Sequence, residues 1–223
     1  MRNVEKRLIE GRWLLPASLA WVVLLAVTCI LTALAAGHTT LPGDAGILDW
    51  AQDQALPGLA ASRLARWMGR TEVDLAVGWA GAVLLLIARQ PKTAILLAMG
   101  LVILALAQAG SKDLVDRPRP SPPLAELRDG YSSSSFPAGH VMSPVFLYGY
   151  ALYMALRGMV PPVFSGGVVL FSLFVLAMAG PANVFMGVHW PSDVLGGYAW
   201  GAVLLVPILI ADILLNSLEK AGR

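Results

Sequence analysis

Of the side chains most used to cross-link a chain or to hold soft metals, 223 residues contain one cysteine, Cys29, and three histidines. One cysteine excludes an internal disulfide. Because it falls in an apolar run, it reads as a packed or lipid-facing thiol and says nothing of redox compartment. Charge is scarce as well. Asp, Glu, Lys and Arg make up 13% of the residues, against roughly a quarter in soluble domains. A formal net charge of +2 leaves no broad basic face for nucleic acid, so none is expected as a partner. What is abundant is apolar: 57% of residues are hydrophobic and the mean hydropathy is +0.68, the composition of an integral membrane protein.

Charge-free or nearly charge-free runs cover 13–36, 75–88, 93–111, 141–156, 163–188 and 194–211. Each approaches the roughly 20 residues that span hydrocarbon. They predict an all-α, polytopic fold: one integral-membrane domain over 1–223, built as a six-transmembrane-helix bundle. The second run is short and must recruit flanking residues such as 71–74 or sit where the protein shields its ends. The first resembles a signal peptide, but its length and the lack of a cleavage signal predict a retained helix. Between the first two runs, Trp50, Leu56, Leu59, Leu64, Trp67 and Met68 mix with Asp49, Asp53, Arg63, Arg66 and Arg70. This mixture predicts an extra interfacial helical segment broken at Pro57, with a solvated connector as the alternative. Gly196, Gly197 and Gly201 give the last run a small-residue face suited to close helix packing. His38 reads as an interfacial residue and Asp212 as a side chain snorkelling to headgroups.

Short-loop cations set the orientation. Arg2, Lys6, Arg7 and Arg12 precede the first run, Arg89 and Lys92 follow the second, Arg157 follows the fourth, and Lys220 and Arg223 end the chain. The positive-inside tendency then places both termini in the cytoplasm of a multi-pass protein of the plasma membrane. Arg63, Arg66, Arg70, Lys112, Arg117, Arg119 and Arg128 fall on the far side against that bias, for which an anionic ligand is one reason.

Three polar motifs share that far face. In KDLVDRPRP, Lys112 and Arg119 lie two helical turns apart if the helix continues, stopped by Pro118 and Pro120. They are either headgroup anchors or charge-assisted donors to a phosphate. In FPAGH, the amides of Ala138, Gly139 and His140 stand at a helix start, where backbone donors and the helix dipole favour an anion. His140 alone reads first as a cap or surface residue. In HWPSD, Asp193 follows His189 by four residues at the start of a helix opened by Pro191. The pair either staples loop to helix or forms an oriented imidazole able to attack phosphorus. Three ligands, His140, His189 and Asp193, make a poor metal site, and no metal or other cofactor is expected.

The ordered set of Lys, six residues, Arg-Pro, then Pro-x-Gly-His, then His, three residues, Asp resembles the type 2 phosphatidic acid phosphatase family. The resemblance covers about 112–197 and implies a six-helix membrane phosphatase with its active site at the extracytoplasmic face. It implies a phosphohistidine at His189, with Asp193 orienting the ring. His140 would be the acid and then the base, and Lys112 and Arg119, helped by Ala138 and Gly139, would bind phosphate. Substrates would be lipid phosphates or pyrophosphates: undecaprenyl pyrophosphate, phosphatidic acid or phosphatidylglycerol phosphate. A non-catalytic lipid-phosphate binder and a lipid phosphotransferase are the alternatives. Two positions depart from the pattern: Ala138 replaces a serine, and Ala182-Asn183 replaces Ser-Arg. Loss of that arginine predicts attenuated activity, with Asn183 a neutral donor and Arg117 or Arg128 an auxiliary source of the missing charge.

Overall fold

The computed structural model describes residues 14–131 and 133–222, with side chains to residue 216. The orientation-setting Arg2, Lys6, Arg7, Arg12 and Arg223, and the Lys220 side chain, lie outside that description, as does Trp13 at the start of the first run. Among the described residues the regular elements are all helical: α1 Leu14–Gly37, α2 Asp44–Asp53, α3 Leu59–Met68, α4 Thr71–Ile87, α5 Pro91–Val115, α6 Gly139–Leu156, α7 Pro162–Phe185 and α8 Pro191–Gly222. Four of them, α1, α5, α7 and α8, are long and apolar enough to cross a membrane. Helices of this length and composition make the chain a multi-pass membrane protein.

The helices begin where the local chemistry puts them. Pro91, Pro162 and Pro191 each open one, at a position where proline's missing N–H is harmless. The short second run does recruit its flank, because α4 begins at Thr71. Helix α5 stops at Val115: Asp116 takes a left-handed conformation, and Pro118 cannot continue the ladder. Lys112 and Arg119 therefore do not occupy two turns of one helix. The segment expected to break at Pro57 forms two short helices, α2 and α3, separated by 54–58.

Helix α6 is the centre of the bundle, packed on α7 and α8 and against α4. It earns that place by burying both its faces: Val141, Met142, Phe146 and Tyr150 are almost wholly enclosed. One core joins Leu101 and Leu104 of α5 to Met142 and Phe146 and to Leu205 and Ile208 of α8. The outer helices show the reverse pattern, with Leu15, Val23, Leu84, Leu106, Val163 and Leu170 facing outward, as a lipid surface requires.

The small-residue face of α8 meets α6 and the segment before it. A Cβ on Gly197 would lie 2.7 Å from the Ala138 carbonyl oxygen and 2.9 Å from Val141 Cβ. The Ala138 amide donates to the Asp193 carbonyl at 3.1 Å, so close backbone approach fixes the second motif to the third. At the other end, Asp212 does not snorkel. It is buried and accepts from Tyr153 Oη at 2.7 Å, Thr93 Oγ1 at 3.1 Å and Asn216 Nδ2 at 3.0 Å, because α5, α6 and α8 enclose it there. His38 is exposed, its Nδ1 3.0 Å from the Leu34 carbonyl.

Candidate active site

A cavity of about 920 Å³ opens where α3, α4, α5 and α6 meet the 116–138 loop. Lys112, Arg119, Gly139 and His140 line it, as do Arg63, Arg66, Arg70 and Arg128. Against these six Arg and Lys side chains the wall sets only two carboxylates, Glu72 and Asp129. So uneven a wall in a partly desolvated site favours an anion.

Lys112 and Arg119 converge through the loop and not through a helix. Lys112 Nζ donates to Ser133 Oγ and Arg119 Nε to the Ser133 carbonyl, both at 2.7 Å. Arg119 also donates to the Val188 carbonyl at 2.5 Å and the Ser134 carbonyl at 3.1 Å, tying the first motif to the loop that carries His189. Burial, opposed by Asp193 and aided by the charge of Arg66, lowers the Arg119 pKa to about 10, which leaves it cationic at neutral pH.

His189 lies behind this guanidinium, 1% exposed, and is not part of the cavity wall. Arg119 Nη1 stands 3.0 Å from His189 Nε2. A guanidinium can only donate, so Nε2 accepts and the ring proton sits on Nδ1. That Nδ1 is 3.7 Å from Asp193 Oδ2, too far for a hydrogen bond, and has no other partner among the described residues. Burial, with the charges of Arg119 and Arg66, pushes the His189 pKa down to about 4 despite the opposing pull of Asp193. The ring is neutral at pH 7, with its nucleophilic lone pair on Nε2.

Asp193 is itself held firmly. Its Oδ2 accepts from the Trp190 amide at 2.8 Å and from Ser135 Oγ, and its Oδ1 from Arg117 Nη1 at 2.6 Å. Arg117 is fully buried and reaches Asp44 at 2.8 Å with its other terminal nitrogen. Ser192 completes the lattice, its amide and hydroxyl donating to Asp44 at 2.9 and 2.7 Å. Sequence reasoning offered Arg117 as a source of cavity charge. The structure turns it the other way, behind Asp193, because two buried carboxylates need its charge. Asp44, Ser135 and Ser192 were missed altogether, having no spacing that distinguishes them from loop residues.

Arg128 does line the cavity, although its guanidinium is engaged by Glu126 at 2.6 Å and stacks 4.2 Å from the Phe185 ring. Of the three amides expected at the start of α6, that of Ala138 is spent on Asp193, whereas Gly139 and His140 remain at the wall. Asn183 is fully buried and absent from the wall; its Oδ1 accepts a short hydrogen bond from Arg66, and its Nδ2 donates to Ala179 at 2.7 Å. Arg66 was visible in the sequence only as one of several cations on the far side. Among the described residues no three His, Cys, Asp or Glu side chains cluster as metal ligands would.

A family model described as the PAP2 superfamily matches residues 91–212, more than half of the chain. The chain belongs to the PAP2 superfamily. This is the family that the ordered motifs resemble. One similar PAP2 relative is phosphatidylglycerophosphatase B of Bacillus subtilis, 32% identical over 97 residues, which are 42% of this chain and 45% of that protein. The chain thus matches less than half the length of this curated relative. A solved structure, the transmembrane PAP2-type phosphatidylglycerolphosphate phosphatase from Bacillus subtilis, superposes with a TM-score of 0.69 at 21% identity. The match covers 86% of this chain and 95% of the other. At that identity the match shows a shared fold.

Proposed function

We propose that this PAP2 protein is a membrane phosphatase that removes the terminal phosphate of a lipid phosphate or pyrophosphate through a phosphohistidine on His189. The carrying observation is the cation-lined cavity with His140 on its wall and a neutral His189 immediately behind Arg119. An entering phosphate attracts the Arg119 guanidinium, which must leave Nε2 before that nitrogen can act. The Nε2 lone pair then forms a bond to phosphorus as the bond from phosphorus to the ester oxygen breaks. His140, protonated once the phosphate anion sits beside it, gives that proton to the departing oxygen, and Lys112, Arg119 and the Gly139 amide carry the charge on the phosphoryl oxygens. Asp193, 3.7 Å from Nδ1, balances the positive charge that the ring acquires. A water then attacks phosphorus, losing its proton to His140; the bond to Nε2 breaks, phosphate leaves and His189 is restored.

The six-span, single-domain reading belongs to this proposal. Helix α4, at 17 residues, and α6, shielded by its neighbours, would cross with the four longer spans. Outward Trp50, Leu64 and Trp67 support α2 and α3 lying in the headgroup plane. With both termini cytoplasmic, the cavity opens at the extracytoplasmic headgroup depth, where a lipid presents its phosphate. The named relatives make phosphatidylglycerol phosphate the first substrate to test, ahead of phosphatidic acid and undecaprenyl pyrophosphate.

The test is phosphate release by purified protein from a panel of lipid mono- and diphosphates. Release that vanishes in His189→Ala is the expected result. No release from any of them, with lipid-phosphate binding retained, would favour the non-catalytic binder, for which Asn183 and Ala138 are the motivating departures.

A further inference from the structure

We infer that Arg66, on α3, supplies a guanidinium of the phosphoryl clamp, and that Asn183 and Asp129 hold it there. This rests on the reading of the cavity as the phosphoryl site. Arg66 is 7% exposed and lies on the cavity wall with His140, Lys112 and Arg119. Its Nε donates to Asp129 at 2.9 Å and its Nη1 to Asn183 Oδ1, while Nη2 has no protein partner among the described residues. Two of the fork's three nitrogens are thus fixed, and one is left to donate.

The placement is enforced by the backbone. A Cβ on Gly69, one residue past α3, would stand 2.7 Å from the His140 carbonyl oxygen and 3.0 Å from Pro144 Cγ. The end of α3 is therefore pressed onto the first turn of α6, and Arg66, one turn earlier, is carried into the cavity beside His140. Helix α3 also packs on α7, which brings Asn183 within reach.

The electrostatics agree. Burial, outweighing Asp129, lowers the Arg66 pKa, and the charge of Arg66 depresses Arg119 and His189 in turn. A buried cation that faces the charges of Arg70 and Arg119, with one exposed carboxylate as its partner, is costly unless a further anion joins the site. Position 183 is where the family resemblance expects an arginine on α7. Here the guanidinium arrives from α3, and the asparagine accepts from it. The clamp keeps its charge although its source has moved to a different helix.

The experiment uses the full chain in detergent. Orthovanadate affinity is measured by calorimetric titration, and kcat/KM by phosphate release from phosphatidylglycerol phosphate, for wild type, Arg66→Gln, Arg66→Lys and the double variant Arg66→Ala/Asn183→Arg. Glutamine retains hydrogen-bonding capacity toward Asn183 without charge, so a merely structural Arg66 would tolerate it better than a clamp residue would. Arg66→Gln is expected to weaken orthovanadate binding and kcat/KM by about 10- to 150-fold, the cost of one charged donor. Arg66→Lys should lose less, and the double variant should recover part by returning a guanidinium from α7. Orthovanadate binding by Arg66→Gln equal to wild type overturns the inference, as does a wild type that binds none. Wild type that binds orthovanadate through Arg66 yet hydrolyses no lipid defeats the phosphatase proposal and leaves this one standing.

Discussion

His189 is a residue whose chemistry its surroundings alter strongly. Its pKa of about 4 means that the imidazole lone pair is available throughout the neutral range. The acid limb of kcat/KM is expected near pH 4 and not near the ordinary histidine value of about 6.5; a pH–rate profile checks it, and a limb at 6.5 would contradict the burial argument. The same shift has a stability consequence. Between about 4 and 6.5 the unfolded chain binds the proton that the folded one refuses, so stability rises with pH across that window and falls on acidification through it. Thermal unfolding followed across that range should show a midpoint that drops as pH is lowered. On the phosphate side, Lys112→Ala removes a charged donor and should lower kcat/KM by roughly 10- to 150-fold.

At the scale of elements, the contact between α8 and the start of α6 is the one on which the site depends. Gly197→Ala puts a methyl group 2.7 Å from the Ala138 carbonyl, and neither backbone can yield without loosening the Ala138–Asp193 hydrogen bond. Overpacking of this kind costs about 1–3 kcal/mol. Activity should fall further than thermal stability does, measured by phosphate release against unfolding midpoint, because the added methyl shifts His140 relative to His189. The helices themselves were largely legible, since uninterrupted apolar runs and the prolines at 91, 162 and 191 announce them. Pairings of sequence-distant polar groups were not. Nothing in the spacing says that Arg117 faces Asp44 and Asp193, or that Arg66 meets Asn183, because such pairings are decided by how helices pack. The two-turn geometry of Lys112 and Arg119 failed for a local reason, the left-handed Asp116, which no residue type guarantees.

For the whole molecule, the outward apolar surface of α1, α4, α7 and α8 demands lipid around it, and the charged cavity sits at one end of that belt. The proposed orientation puts this end outside the cytoplasm. With Cys29→Ala as background, a cysteine introduced by Glu126→Cys, on the exposed loop beside the cavity, should react with a membrane-impermeant maleimide in intact cells. Labelling only after permeabilisation would invert the topology.

Arg117 spans a boundary that the motifs hide. Its two terminal nitrogens join Asp193, inside the stretch shared with the family model, to Asp44, well before residue 91. A fragment trimmed to the shared stretch would retain every motif side chain and still lack Asp44, the carboxylate that holds the second terminal nitrogen of Arg117. Losing a buried hydrogen bond between charged groups costs about 1.5–3 kcal/mol, enough to loosen the guanidinium that holds the carboxylate behind the imidazole. The smallest transplantable form of this site is therefore larger than its signature, and must begin upstream of α2.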